Sequence, residues 1–147
     1  MLKGIDPLLT PDLLKFLCAM GHGEWVAVVD ANFTADWLAQ GRIPVVRIPG
    51  IDLARVSRAV LSVLPLAADV TQPAAYMQVC GSAPGHRTPA QQAVVDLVVA
   101  EGRQADEVQA VERYAFYEKI RGASLIVQSG EATAYGNAMF CKGVILH

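Results

Sequence analysis

Residues 20–33 read MGHGEWVAVVDANF, and the middle of this stretch decides the fold class. Trp25-Val26-Ala27-Val28-Val29 is a short apolar run rich in β-branched residues and has no polar face. A strand of that kind is buried on both sides, which happens in parallel sheets layered between helices. Two polar features frame it. His22 stands between Gly21 and Gly23 before the strand, and Asp30 follows directly after it. Both positions are costly for polar side chains unless they are used.

Working back from this run, Thr10-Pro11-Asp12 is a helix start: a hydroxyl cap, a proline in the first turn and an acid near the positive end of the dipole. Leu13, Phe16, Leu17 and Met20 recur at helical spacing, with Gly21 available as a left-handed cap. Working forward, PVVRIPG is a second strand, and Asp52 caps a helix that buries Leu53, Val56, Val60, Val63 and Leu64 before Pro65. AAYMQVCG reads as a strand and SAPGHRTPA as a loop. Thr88-Pro89 opens a helix closed by Gly102. EVQAVER is a strand, YAFYEKIRG a short helix, SLIVQSGE a strand, and AMFCKGVIL a last strand running almost to the C-terminus. Strands alternating with helices define an α/β domain, residues 1–147, with a largely parallel sheet flanked by helices.

Composition narrows the partners. The chain has 147 residues, with 12 Lys plus Arg against 14 Asp plus Glu, a net charge of -2. That balance lacks the basic footprint a phosphate backbone requires, so no nucleic acid is expected. No apolar run approaches the ~18 residues of a membrane-spanning helix, and MLKGIDPLLT has no apolar leader core. Charged residues make up 18% and the mean hydropathy is +0.33, an apolar surplus for so small a chain. Two-sided strands and interfaces between copies are the places for it, which implies a homo-oligomer. Cys18, Cys80 and Cys141 sit in apolar neighbourhoods without C-x-x-C spacing and read as buried, reduced thiols of a cytoplasmic protein.

In sheets of this kind ligands collect beyond the carboxyl ends of the strands, where Asp30, Arg113 and Gly130-Glu131 fall. Asp30 has two readings: a strand-end turn former, or a carboxylate that orients His22 or accepts sugar hydroxyls. His22 is either a helix-end histidine or an acid/base group, since a free imidazole titrates near neutrality. ERYAFYEK is either an amphipathic helix or a wall of aromatic faces (Tyr114, Phe116, Tyr117) beside an arginine fork. AYGN reads as a turn. His86 and His147 read as exposed, and no His or acid spacing suits a metal.

The blocks LKGIDPLLTPDLLKFLCAMGHGEWVAVVDANF, VERYAFYEK and SGEATAYGNAMFCKGVIL, in that order, resemble the L-fucose mutarotases. These belong to the RbsD/FucU family, which also contains the D-ribose pyranases. The resemblance implies that family's fold and a ring-shaped homo-oligomer, typically a decamer of two pentameric rings, with no metal or cofactor. It implies His22 as the acid/base and Asp30, Arg113, Tyr135, Gly136 and Asn137 as the residues that bind the monosaccharide, L-fucose. The activity implied is interconversion of α and β anomers by ring opening and closing, with Tyr135 or a water as the second proton carrier. Ribose pyranase activity and non-catalytic binding in sugar uptake are the alternatives. Where the family often has a proline this chain has Thr34, and residues 34–50 are longer than usual, adding Trp37 and Arg42.

Overall fold

The computed structural model describes residues 2–146, so His147 lies outside the described residues. The elements alternate as α1 (Pro11–Ala19), β1 (Trp25–Val29), α2 (Ala35–Ala39), β2 (Val45–Ile48), α3 (Leu53–Leu61), β3 (Ala74–Met77) and α4 (Pro89–Ala100). A 3-10 turn (Ala105–Glu107), β4 (Val108–Val111), α5 (Arg113–Arg121), β5 (Leu125–Ser129) and β6 (Ala138–Cys141) follow. The caps behave as read: Thr10, Asp52 and Thr88 accept hydrogen bonds from the third residue on, and Thr88 with Gln91 closes a capping box.

Six strands form one sheet in the order β2-β5-β1-β6-β3-β4. β1 with β5, β2 with β5, and β3 with β4 pair parallel, while β6 is antiparallel to both neighbours, β1 and β3. The sheet is therefore mixed rather than simply parallel. The reason is the link between β5 and β6: residues 130–137 are too few for a crossover, which takes a dozen or more, so the chain turns back at the same end.

Both faces of the sheet are covered. α1, α3 and α4 lie over Val26, Val28, Leu125, Val127, Ala138 and Phe140. α2 and α5 cover Ala27, Val29, Ile126 and Met139 with Leu38, Phe116 and Ile120. Full burial of such a side chain contributes roughly 1.5–3 kcal/mol, against about 1 kcal/mol for a cap. Packing therefore holds the helices, and the caps set where they begin.

Several readings are corrected. Residues 34–50 contain α2, whose five residues are too few to show a helical period. Gly21 does not cap α1: Met20 leaves the helix extended, and the left-handed glycine is Gly23. α3 ends at Leu61, ahead of Pro65. Arg113 opens α5 rather than ending a strand, because the Glu112 carboxylate accepts from the N–H groups of Tyr114 and Ala115 and starts the helix there. β6 stops at Cys141, and residues 144–146 stand exposed. Only Cys141 is buried; Cys18 and Cys80 are exposed. Among the described residues no helix is long and apolar enough to cross a membrane.

Candidate functional site: a pocket at the carboxyl ends of two strands

The pocket forms where β6 enters the sheet. A cavity of about 400 Å³ opens between the ends of β1 and β3, lined by Asp30, Asn32, Phe33, Thr34, Met77, Arg113, Tyr117, Ala132, Ala134, Tyr135 and Asn137. Because β6 runs antiparallel, its first residues lie at the same end as the last residues of β1 and β3. That places Asn137 beside Asp30.

These two side chains pair reciprocally. Asn137 Nδ2 donates to Asp30 Oδ2 at 2.9 Å, and Asn137 Oδ1 accepts from the Asp30 N–H at 2.9 Å. The Asn32 N–H holds the other carboxylate oxygen at 2.9 Å. Asp30 is 8% exposed and Asn137 2%. Burial raises the Asp30 pKa above its ordinary 3.8, and the hydrogen bond from Asn137 and the one from Asn32 oppose the rise without cancelling it.

A titration prediction follows from the sign of that balance. Carboxyl-carbon NMR should place the Asp30 midpoint above 3.8 in the native protein, and Asn137→Ala should move it higher still. A midpoint that falls in the variant would show that the amide does not favour the ionised form. Since the folded pKa is the raised one, this group's contribution to stability declines as pH rises from the unfolded midpoint to the folded one.

The other walls come from separate elements. Arg113 Nε donates to the Tyr117 hydroxyl at 2.9 Å, and its guanidinium lies 5.5 Å from the Tyr117 ring centre and 5.7 Å from that of Tyr114. Hydrogen bonding to Tyr117 raises the Arg113 pKa further, so the group is a permanent cation. Tyr117 meets Phe33 edge to face at 5.7 Å. Within ERYAFYEK the roles divide: Tyr117 lines the pocket, Tyr114 is 68% exposed outside it, and Phe116 is wholly buried in the core.

Tyr135 adopts φ 63°, a left-handed conformation that side chains other than glycine resist. Its phenol pKa is raised, first by a hydrogen bond with Cys80 and then by burial. Gly136 lies behind it, where an added Cβ would come within 2.6 Å of Glu131 Cγ and 2.9 Å of the Thr133 carbonyl oxygen. Glycine lets this loop fold tightly enough to bring Tyr135 and Asn137 to the same cavity. Gln128 fixes the opposite loop, its Nε2 donating to the carbonyls of Asp30, Ala31 and Phe33 at 3.1–3.4 Å.

Asp30, Arg113, Tyr135 and Asn137 thus meet around one cavity, with Gly136 behind them. His22 is elsewhere. It precedes β1 while Asp30 follows it, and the strand alone spans roughly 15 Å. Within one protomer Asp30 therefore does not orient it. His22 Nε2 instead pairs with Asp69 Oδ2 at 2.9 Å, which lowers the Asp69 pKa. His22 lines a separate groove of about 470 Å³ with Leu14, Leu17, Val63, Val144 and Ile145.

Residues the motif reading passed over include Asn32, Phe33, Met77, Gln91 and Gln128, while Thr34, noted only as a departure from the family pattern, lines the cavity. Asn32 and Phe33 stood inside the quoted DANF block. Gln91 had a usable signal, a polar residue one helical turn from Val94 and Val95 on the apolar face of its helix.

Fold and site together define an α/β domain with a polar, aromatic-walled pocket at the carboxyl ends of β1 and β3. The chain belongs to the RbsD / FucU transport protein family, which matches residues 3–145. It is 36% identical to the human fucose mutarotase over 149 residues, covering 98% of this chain and 94% of the relative. FucU from Bifidobacterium longum superposes with a TM-score of 0.90 at 36% identity, covering 98% of this chain and all of that one. The fucose mutarotase from Streptococcus pneumoniae, solved in complex with L-fucose, superposes with a TM-score of 0.86 at 29% identity, covering 99% and 100%.

Proposed function

We propose that this protein interconverts the α and β anomers of L-fucose. The observation that carries the reading is the Asp30–Asn137 pair facing Arg113 and Tyr135 across a cavity walled by Phe33 and Tyr117. Asp30 accepts sugar hydroxyls, Arg113 holds oxygens in its fork, and the aromatic wall takes the methyl group and ring face. The similarity to fucose mutarotases over nearly the whole chain supports L-fucose rather than a pentose.

Anomer exchange needs two proton carriers. One delivers a proton to the ring oxygen as the other removes one from the anomeric hydroxyl, opening the ring to the aldehyde. Rotation about C1–C2 and the reverse transfers close the ring on the other face. Tyr135 is one carrier in this reading and His22 the other. His22 reaches the pocket from a neighbouring copy, since its own protomer keeps it at the far end of β1. A ring-shaped homo-oligomer, a decamer of two five-membered rings by resemblance to the family, brings the two ends together. The exposed Val144, Ile145 and Leu146 beside the His22 groove support a covered surface there. Asp69 then holds the imidazole in one tautomer. The exposed thiols of Cys18 and Cys80 fit a reducing, cytoplasmic setting.

Exchange NMR on equilibrated L-fucose tests the function. Transfer of magnetisation between the α and β anomeric protons should accelerate with added protein, and far less so with D-ribose. Line broadening without exchange would make the protein a binder and overturn the reading.

A further inference from the structure

α4 contributes no side chain to the pocket lining, yet one of its residues is bonded to two backbone groups there. Gln91 is fully buried, one turn from Val94 and Val95 and two from Val98, at a place where an apolar side chain would pack without desolvation cost. Its amide is fully used. Oε1 accepts from the Thr88 N–H at 2.9 Å. Nε2 donates to the carbonyl of Met77 at 2.7 Å and to that of Tyr135 at 3.0 Å.

Both acceptors belong to residues that line the cavity, Met77 at the end of β3 and Tyr135 in the loop entering β6. The Tyr135 carbonyl also accepts from the Asn137 N–H at 2.8 Å. Two donors on one carbonyl oppose the tendency of a non-glycine residue to leave φ 63°. Were Tyr135 to relax to negative φ, its side chain would leave the direction it now takes, and the phenol would move relative to the sugar.

We propose that Gln91 is a positioning residue, which sets the phenol of Tyr135 against the bound sugar by holding its backbone in the left-handed conformation. The inference rests on the reading of Tyr135 as a proton carrier. It assigns to a buried helix residue a part in the reaction rather than in packing alone.

The test crosses Gln91 with Tyr135 in the full-length protein. Gln91→Met removes both donors, and Gln91→Asn keeps the amide but withdraws it by one methylene. Each is made in the native background and with Tyr135→Phe, and thermal unfolding identifies which variants are folded. At saturating L-fucose, either Gln91 variant should lower the exchange rate by roughly tenfold or more in the native background, with little change in KM. In the Tyr135→Phe background the same change should cost less than about twofold, because no phenolic proton is left to place. Equal losses in both backgrounds would make Gln91 a structural support and overturn the proposal. An unimpaired Tyr135→Phe would overturn the role of Tyr135 and the proposal with it. That failure is distinct, because it appears before Gln91 is touched.

Discussion

Replacing His22 with alanine is expected to slow anomer exchange by roughly 10²–10⁴-fold while the sugar still binds, the range for a lost acid/base group. The fold should survive, since His22 is an exposed loop residue whose side chain bonds only to the exposed Asp69 among the described residues. The sugar should stay because Asp30, Arg113, Tyr135 and Asn137 are all at the other end of β1. Exchange NMR reports the rate and line shifts report binding in the same sample. Near-native exchange in a folded His22→Ala protein would remove this histidine from the mechanism.

The second large effect is a gain. His22→Ala and Asp30→Asn copies, each inactive alone, should recover exchange when assembled together. If each site takes His22 from one copy and Asp30 from its neighbour, random mixing leaves about one site in four with both native residues, half of one multiplied by half of the other. Recovery near a quarter of native activity after co-expression is the expected result. A mixture no more active than its parents would mean that no site is shared between copies. It would also leave His22, held away from the cavity by β1, without a path to the sugar.

Both experiments depend on a separation that no local pattern shows. The residues around His22 and Asp30 were legible: an apolar run of five, a glycine hinge before it and a carboxylate after it. Their types suggested proton transfer and sugar binding, and their closeness in sequence suggested that one orients the other. An extended strand does the opposite, since it carries residues eight apart to opposite ends of the sheet. Asp69 is 47 positions from His22, and no spacing rule connects them.

By itself the sequence determined the alternation of strands and helices apart from the short α2, because two-sided burial and helical spacing are local properties of side chains. It set the helix starts at Thr10, Asp52 and Thr88 through capping chemistry. The residue blocks also carried the family resemblance, and named Asp30, Arg113, Tyr135 and Asn137 among the residues that line the cavity. Tertiary structure decided the direction and place of β6, and with them the pocket. A strand's partners depend on what the rest of the chain leaves open, and its direction on whether the connecting loop can cross the sheet. With only residues 130–137 available, β6 turned back between β1 and β3, bringing Asn137 to Asp30 across 107 residues. The same packing buried Phe116 and left Tyr117 at the cavity, a division invisible in ERYAFYEK. It also brought Gln91 under Tyr135, because only the completed layers bring the first turn of α4 against the loop that enters β6.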